Sequence, residues 1–115
     1  MDLEAIEAFC LALPGASVVV QWGDDHVYKV GGKMFAVAGG RALGISFKAS
    51  DMAFELLPEQ GIARPAPYLA RAGWLQLVDA QALEPDDLLA YLRQAHAIVA
   101  ARLPKKQRIA LGLNA

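Results

Sequence analysis

One cysteine, Cys10, is too few for an intrachain disulfide or a multi-cysteine zinc site. It stands among Ile6, Phe9 and Leu13 at helical spacing, which predicts a buried, inert thiol. Only two histidines occur, His26 and His96, and neither belongs to a His-x-x-x-His or Glu-x-x-His pattern. A bound metal is therefore not expected. No serine or cysteine stands in a recognisable arrangement with a histidine, and neither a G-x-G-x-x-G nor a Walker pattern is present, so acyl transfer and phosphate-loop chemistry are not expected. These absences point to a protein that is not an enzyme and carries no cofactor. No apolar run approaches the roughly 20 residues of a spanning helix, so no membrane partner is expected. Asp2, Glu4 and Glu7 occupy the place where a secretory leader needs a basic region, and a cytoplasmic location is expected.

The last scarcity is local. The net charge is −1, yet residues 26–50 carry four bases and no acid, whereas residues 2–25 carry five acids and no lysine or arginine. The alternation continues, with three acids in 51–59, two arginines in 60–78, four acids in 79–87 and five bases in 88–108. Acids at helix starts and bases at helix ends explain part of it. The basic block at 26–50 is not explained that way. A near-neutral total argues against a general nucleic-acid coat and permits a local basic face.

What is present reads as one globular domain over 1–115, 56% hydrophobic and 20% charged. An apolar stripe of Leu3, Ile6, Phe9, Cys10 and Leu13 predicts a helix over 2–13, stopped by Pro14-Gly15. Val18–Trp22 is β-branched and aromatic and predicts a strand. Two glycine pairs, Gly31-Gly32 and Gly39-Gly40, separate His26–Val30, Lys33–Ala38 and Arg41–Lys48, the pattern of successive tight hairpins. Ser50 and Asp51 open a second helix that should end before Pro58, and the breakers of 61–67 predict a loop. Trp74–Val78 predicts a final strand. Pro85 with Asp86-Asp87 opens a third helix whose stripe is Leu88, Leu92, Ala95, Val99 and Leu103, before Pro104. The expected fold is α+β: an antiparallel meander sheet of four to five strands packed by three helices.

Two-residue turns set Tyr28 opposite Phe35 and His26 opposite Val37, on one face with Lys33, Gly44, Ser46 and Lys48. The other face, with Val27, Lys29, Met34, Ala36, Ala38, Arg41, Leu43, Ile45 and Phe47, is more apolar and is assigned to the helices. Exposed Tyr28 and Phe35 could then stack bases while lysines meet phosphates. The plain alternative is that both cover glycine across the sheet or lie under the C-terminal segment.

The chain resembles the MmcQ/YjbR family of small bacterial proteins over nearly its whole length. The resemblance is carried by Leu13-Pro14-Gly15, by 28–36 (Tyr-Lys-Val-Gly-Gly-Lys-Met-Phe-Ala), Phe47-Lys48, Pro67-Tyr68-Leu69, Gly73-Trp74, Leu103-Pro104-Lys105-Lys106 and Arg108. It implies a double-wing α+β domain, similar at fold level to the frataxin-like CyaY proteins, and DNA as a possible partner. It implies no catalytic set. Frataxin-like iron binding would need a ridge of acids, and Asp2, Glu4 and Glu7 are too few. The basic motif positions it carries over are Lys29, Lys33, Lys48, Lys105, Lys106 and Arg108.

Arg64 and Arg71 join these as DNA-binding candidates, because they flank the rigid Pro65-Ala66-Pro67-Tyr68 segment; a salt bridge to Asp79 or Glu59 would serve them equally. Cations after the third helix can clamp phosphates or stabilise the helix end. Trp22 and Trp74 read as core or rim packing. The leading expectation is a DNA-binding protein with Tyr28 and Phe35 as stacking residues. The second is an interaction or small-ligand module with an apolar pocket near Trp22, Tyr68 and Trp74. Neither the oligomeric state nor a target follows from the sequence.

Overall fold

The computed structural model describes residues 1–113. Six strands form one antiparallel sheet: β1 (Ala16–Gln21), β2 (Asp25–Val30), β3 (Lys33–Gly39), β4 (Gly44–Lys48), β5 (Ala63–Pro65) and β6 (Trp74–Leu77). Their order is β1-β2-β3-β4-β6-β5, a four-stranded meander extended by a returning pair. Four α-helices accompany it: α1 (Leu3–Leu11), α2 (Asp51–Glu59), α3 (Pro85–Ala101) and α4 (Lys105–Ala110). The α+β meander is thus as expected, with one more strand and one more helix.

Local chemistry accounts for the boundaries. Asp2 caps α1 by accepting from the Ala5 N–H at 2.9 Å, and Ser50 caps α2 from the Ala53 N–H at 3.1 Å. Helix α2 runs through Pro58 to Glu59, two positions further than its sequence suggests, because a proline in the last turn forfeits only one backbone bond. Pro85 occupies the first turn of α3, followed by Asp86 and Asp87. The 61–67 segment, expected as a loop, contains β5 at the sheet edge, where a proline is tolerated. The segment after Pro104, expected as a tail, forms α4, tied to the first hairpin by Gln107 Nε2 donating to Gly31 O at 3.0 Å.

Two features of the hairpins differ from the simple register. Gly39-Gly40 is not a two-residue turn: Gly39 pairs with Gly44, and residues 40–43 form the loop. In the first hairpin, Val30 faces Lys33 and Lys29 faces Met34, but Tyr28 faces Ala36. Phe35 is the extra residue of a β-bulge, which shifts the remainder of β2 by one position. A one-residue shift exchanges the faces. Tyr28 therefore turns to the helix side, where its hydroxyl donates to Glu7 Oε1 of α1 at 3.2 Å. Phe35 meets the His96 ring of α3 edge-on, with centroids 5.2 Å apart. Both side chains are fully buried. The expectation that Tyr28 and Phe35 stack bases on an exposed face is overturned by this bulge.

One contiguous core lies between the sheet and α1 and α3, including Ile6, Cys10, Tyr28, Phe35, Ile45, Phe47, Leu75, Leu88 and Leu92. Phe47 stacks on Tyr91 with ring centroids 5.7 Å apart. The Leu88, Leu92 and Ala95 stripe of α3 is buried as its spacing predicts.

Candidate functional site

The bulge that hides Tyr28 also decides what the other sheet face displays. Strand register sets Val19, Val27, Val37, Ser46, Gln76 and Arg64 in one row across all six strands. A second row holds Ser17, Lys29 and Met34. On this face lies a bowl of about 530 Å³, lined by Met34, Val37, Ser46, Gln76 and Asp25 and flanked by Trp22 and Tyr68. Trp22 is 62% exposed and Tyr68 fully so. Both have positive φ, 52° and 66°, which bulky L-residues rarely adopt. Of the three aromatics expected around an apolar pocket, Trp22 and Tyr68 converge there; Trp74 does not.

Trp74 lines a neighbouring depression of about 430 Å³ together with Lys33, Lys48, Arg102, Pro104 and Gln107. Met34 lines both hollows. Three cations from β3, β4 and the end of α3 thus surround one space, and no carboxylate is among the residues lining it. Lys48 is nearly buried, 8% exposed, and its ammonium donates to Ala72 O. Burial lowers its pKa below the usual 10.5, Arg102 adds to that shift, and Asp51 opposes it. Gly73, at φ 79°, makes this possible: a Cβ there would stand 2.7 Å from Lys48 Nζ.

The remaining candidates are placed unequally. Lys105 and Lys106 are exposed on the first turn of α4, directly after Pro104 of the cationic depression. Arg108 is occupied within the chain, its Nη1 donating to Leu103 O at 2.6 Å past the end of α3. Arg64 Nε donates to Gln76 Oε1 at 3.2 Å at the sheet edge beside the bowl. Lys29, assigned with Val27 and Met34 to the helix side, lies with them on the open face instead and is half-buried. Arg71 lines a separate hollow whose other charged residues are Asp51 and Glu55, so it stands apart from the cationic group. Sequence reasoning missed Arg102, which at the end of α3 looked like ordinary helix-dipole chemistry. It also missed Asp25 and Gln76, which carry no motif.

The titratable groups on the helix side do something different. His26 Nδ1 lies 2.6 Å from Glu7 Oε1, which also receives the Tyr28 hydroxyl, and this is the one close contact between a basic and an acidic side chain among the described residues. Burial, and then the charge of Glu7, pushes the Cys10 thiol up to about 12, so it is inert as a nucleophile. Tyr28 is raised for the same reasons in the same order. His96, nearly buried, bonds Pro14 O through Nε2 at 2.8 Å. Among the described residues no three His, Cys, Asp or Glu side chains converge as a metal site, and no helix is long and apolar enough to cross a membrane.

These features define a small α+β protein with an open bowl on one sheet face and a cationic hollow at one end of the sheet. The YjbR family model matches residues 11–98, and the chain belongs to that family. It is similar to the crystal structure of Deinococcus radiodurans protein DR2400, described by the domain DUF419. The two share 22% identity with a TM-score of 0.86, covering 97% of this chain and 88% of that one. At that identity the likeness shows the fold alone. No curated protein matches the chain.

Proposed function

We propose that this protein is a cytoplasmic, non-catalytic nucleic-acid-binding protein that engages phosphates at the cationic end of its sheet. The observation that carries this reading is the gathering of Lys33, Lys48 and Arg102, distant in sequence, around one hollow without a carboxylate. Lys105 and Lys106 extend the positive surface along α4. With the total charge at −1, such a patch acts locally rather than by general attraction. Each lysine or arginine on a phosphate releases condensed counterions, so affinity must fall as salt rises, by about 0.7–0.9 in log–log slope per contact.

The test is anisotropy of a labelled oligonucleotide over a salt series. Wild-type protein binds at low salt with a negative slope. Lys33→Ala with Arg102→Ala, both at exposed positions, reduces that slope by about 1.4–1.8 and weakens binding. Absence of binding at low salt, or an unchanged slope in the double variant, removes the proposal. A second reading, a small-ligand module, draws on the convergence of Trp22 and Tyr68 at the bowl; it predicts ligand affinity that is indifferent to the Lys33 and Arg102 changes.

A further inference from the structure

Building on the nucleic-acid reading above, we infer that the ligand is a single strand and that the bowl between Trp22 and Tyr68 receives one of its unstacked bases. Contiguity is the first support. Met34 lines both the bowl and the cationic hollow. Lys33 adjoins Met34 at the hairpin end of β3 and is paired with the core residue Val30, so it reaches the hollow from the strand end. Val37 lies four residues on, within about 13 Å because the Phe35 bulge shortens the strand, and one flexible strand passing Met34 can touch both.

The second support is how the aromatics are held. The Leu69 N–H donates to Ala66 O at 3.1 Å, closing a β-turn with Pro67 and Tyr68 at its centre. Tyr68 then has positive φ at the third turn position, where glycine or asparagine is the usual residue. Trp22 and Gly23 both have positive φ between β1 and β2. Neither ring is buried by the fold, although each lines the bowl. Strained backbone that presents large aromatic surface to solvent is a feature of recognition loops rather than of packing.

Third, the bowl offers what a base needs. Met34 and Val37 give an apolar surface. Ser46 can donate or accept, and Asp25 accepts; its carboxylate has no cationic partner within the described residues. Gln76 Oε1 is used by Arg64, which leaves the Gln76 amide nitrogen to donate to a base edge. Paired, stacked bases of a duplex cannot enter such a recess, whereas splayed bases of a single strand can stack on aromatic rings.

Short mixed-sequence oligonucleotides, DNA and RNA, single-stranded and annealed, are titrated into wild-type protein and into Trp22→Ala, Tyr68→Ala, Trp22→Phe, Tyr68→Phe and the Lys33/Arg102 double variant. Single strands of at least one sugar type bind about 10-fold or more tighter than their duplexes, and each alanine change weakens single-strand binding about 5- to 100-fold without changing the salt slope. The phenylalanine variants retain most of the affinity, which separates stacking from folding. Equal affinity for duplex and single strand, or alanine variants within twofold of wild type, overturns this inference. In that outcome the salt-sensitive loss in the Lys33/Arg102 variant still upholds phosphate binding. If no oligonucleotide binds wild type at low salt, the nucleic-acid reading fails first and this one with it.

Discussion

Cys10 shows how completely the surroundings of a side chain can decide its chemistry. The thiol is fully buried and pushed up to about 12, and the neighbouring Tyr28 phenol is raised as well. Unfolding would return them to ordinary values of 9.0 and 10.0. The folded state therefore holds both groups neutral at no cost below pH 9, and loses stability as the unfolded chain begins to ionise above it. Lys48 works in the opposite sense: its depressed pKa is a cost while it is charged, relieved as pH rises through the folded value towards 10.5. Two raised acids oppose one lowered base, so the urea midpoint should fall above pH 9. Cys10→Ala should flatten that fall. In native protein near pH 8, a thiol reagent should label Cys10 at least ~1000-fold more slowly than in urea, since reaction awaits opening of the core. Rapid native labelling would contradict the burial.

At the scale of elements, the first hairpin was legible because glycine pairs between apolar runs have few other uses. The bulge was not. Phe35 and Ala36 are both apolar, and an extra residue in a strand leaves no compositional trace, yet it reverses which residues of β2 meet the helices. The sequence of β5 conceals it similarly, because Pro65 reads as a breaker until an edge position is available. Helix α4 reads as a charged tail until Gln107 and Leu111 are seen against the turns at Gly31 and Gly15. The Gly31-Gly32 turn tests this packing. Both glycines have positive φ, but a Cβ on Gly31 would stand 2.6 Å from Leu103 Cδ1 and 2.8 Å from Gln107 Nε2, whereas one on Gly32 meets nothing within 4 Å. Gly32→Ala should cost about 1–2 kcal/mol for the backbone alone. Gly31→Ala should cost ~1–3 kcal/mol more through the clash, and urea melts of the two variants measure the difference. Equal losses would mean that α4 does not hold the turn.

For the whole molecule, the Cα radius of gyration of 13.4 Å matches the ~13.3 Å expected of one compact domain of this length. Most of the buried residues form one contiguous cluster from α1 through the sheet to α3. Unfolding should accordingly show one transition, coincident by tryptophan fluorescence and far-UV circular dichroism. Leu92→Ala, at the centre of that cluster, should move both probes together by ~2–5 kcal/mol. Two separated transitions would show that the sheet and α3 do not unfold as a unit. The candidate site belongs to this scale as well. Lys33, Lys48 and Arg102 come from three elements, and their convergence is a product of α3 crossing the sheet towards the first hairpin.

Periodicity, caps and glycine pairs were enough to determine the α+β class, most of the elements and the apolar stripe of α3, because each is a local property of neighbouring residues. Which basic residues meet, which aromatics are buried and which are exposed were decided only by tertiary structure. Tyr28 and Phe35 were candidates for the surface and became core, while Trp22 and Tyr68 flank the open face. The physical reason is that a one-residue register shift and the packing angle of a helix are set by long-range contacts, and these leave no periodic signature along the chain.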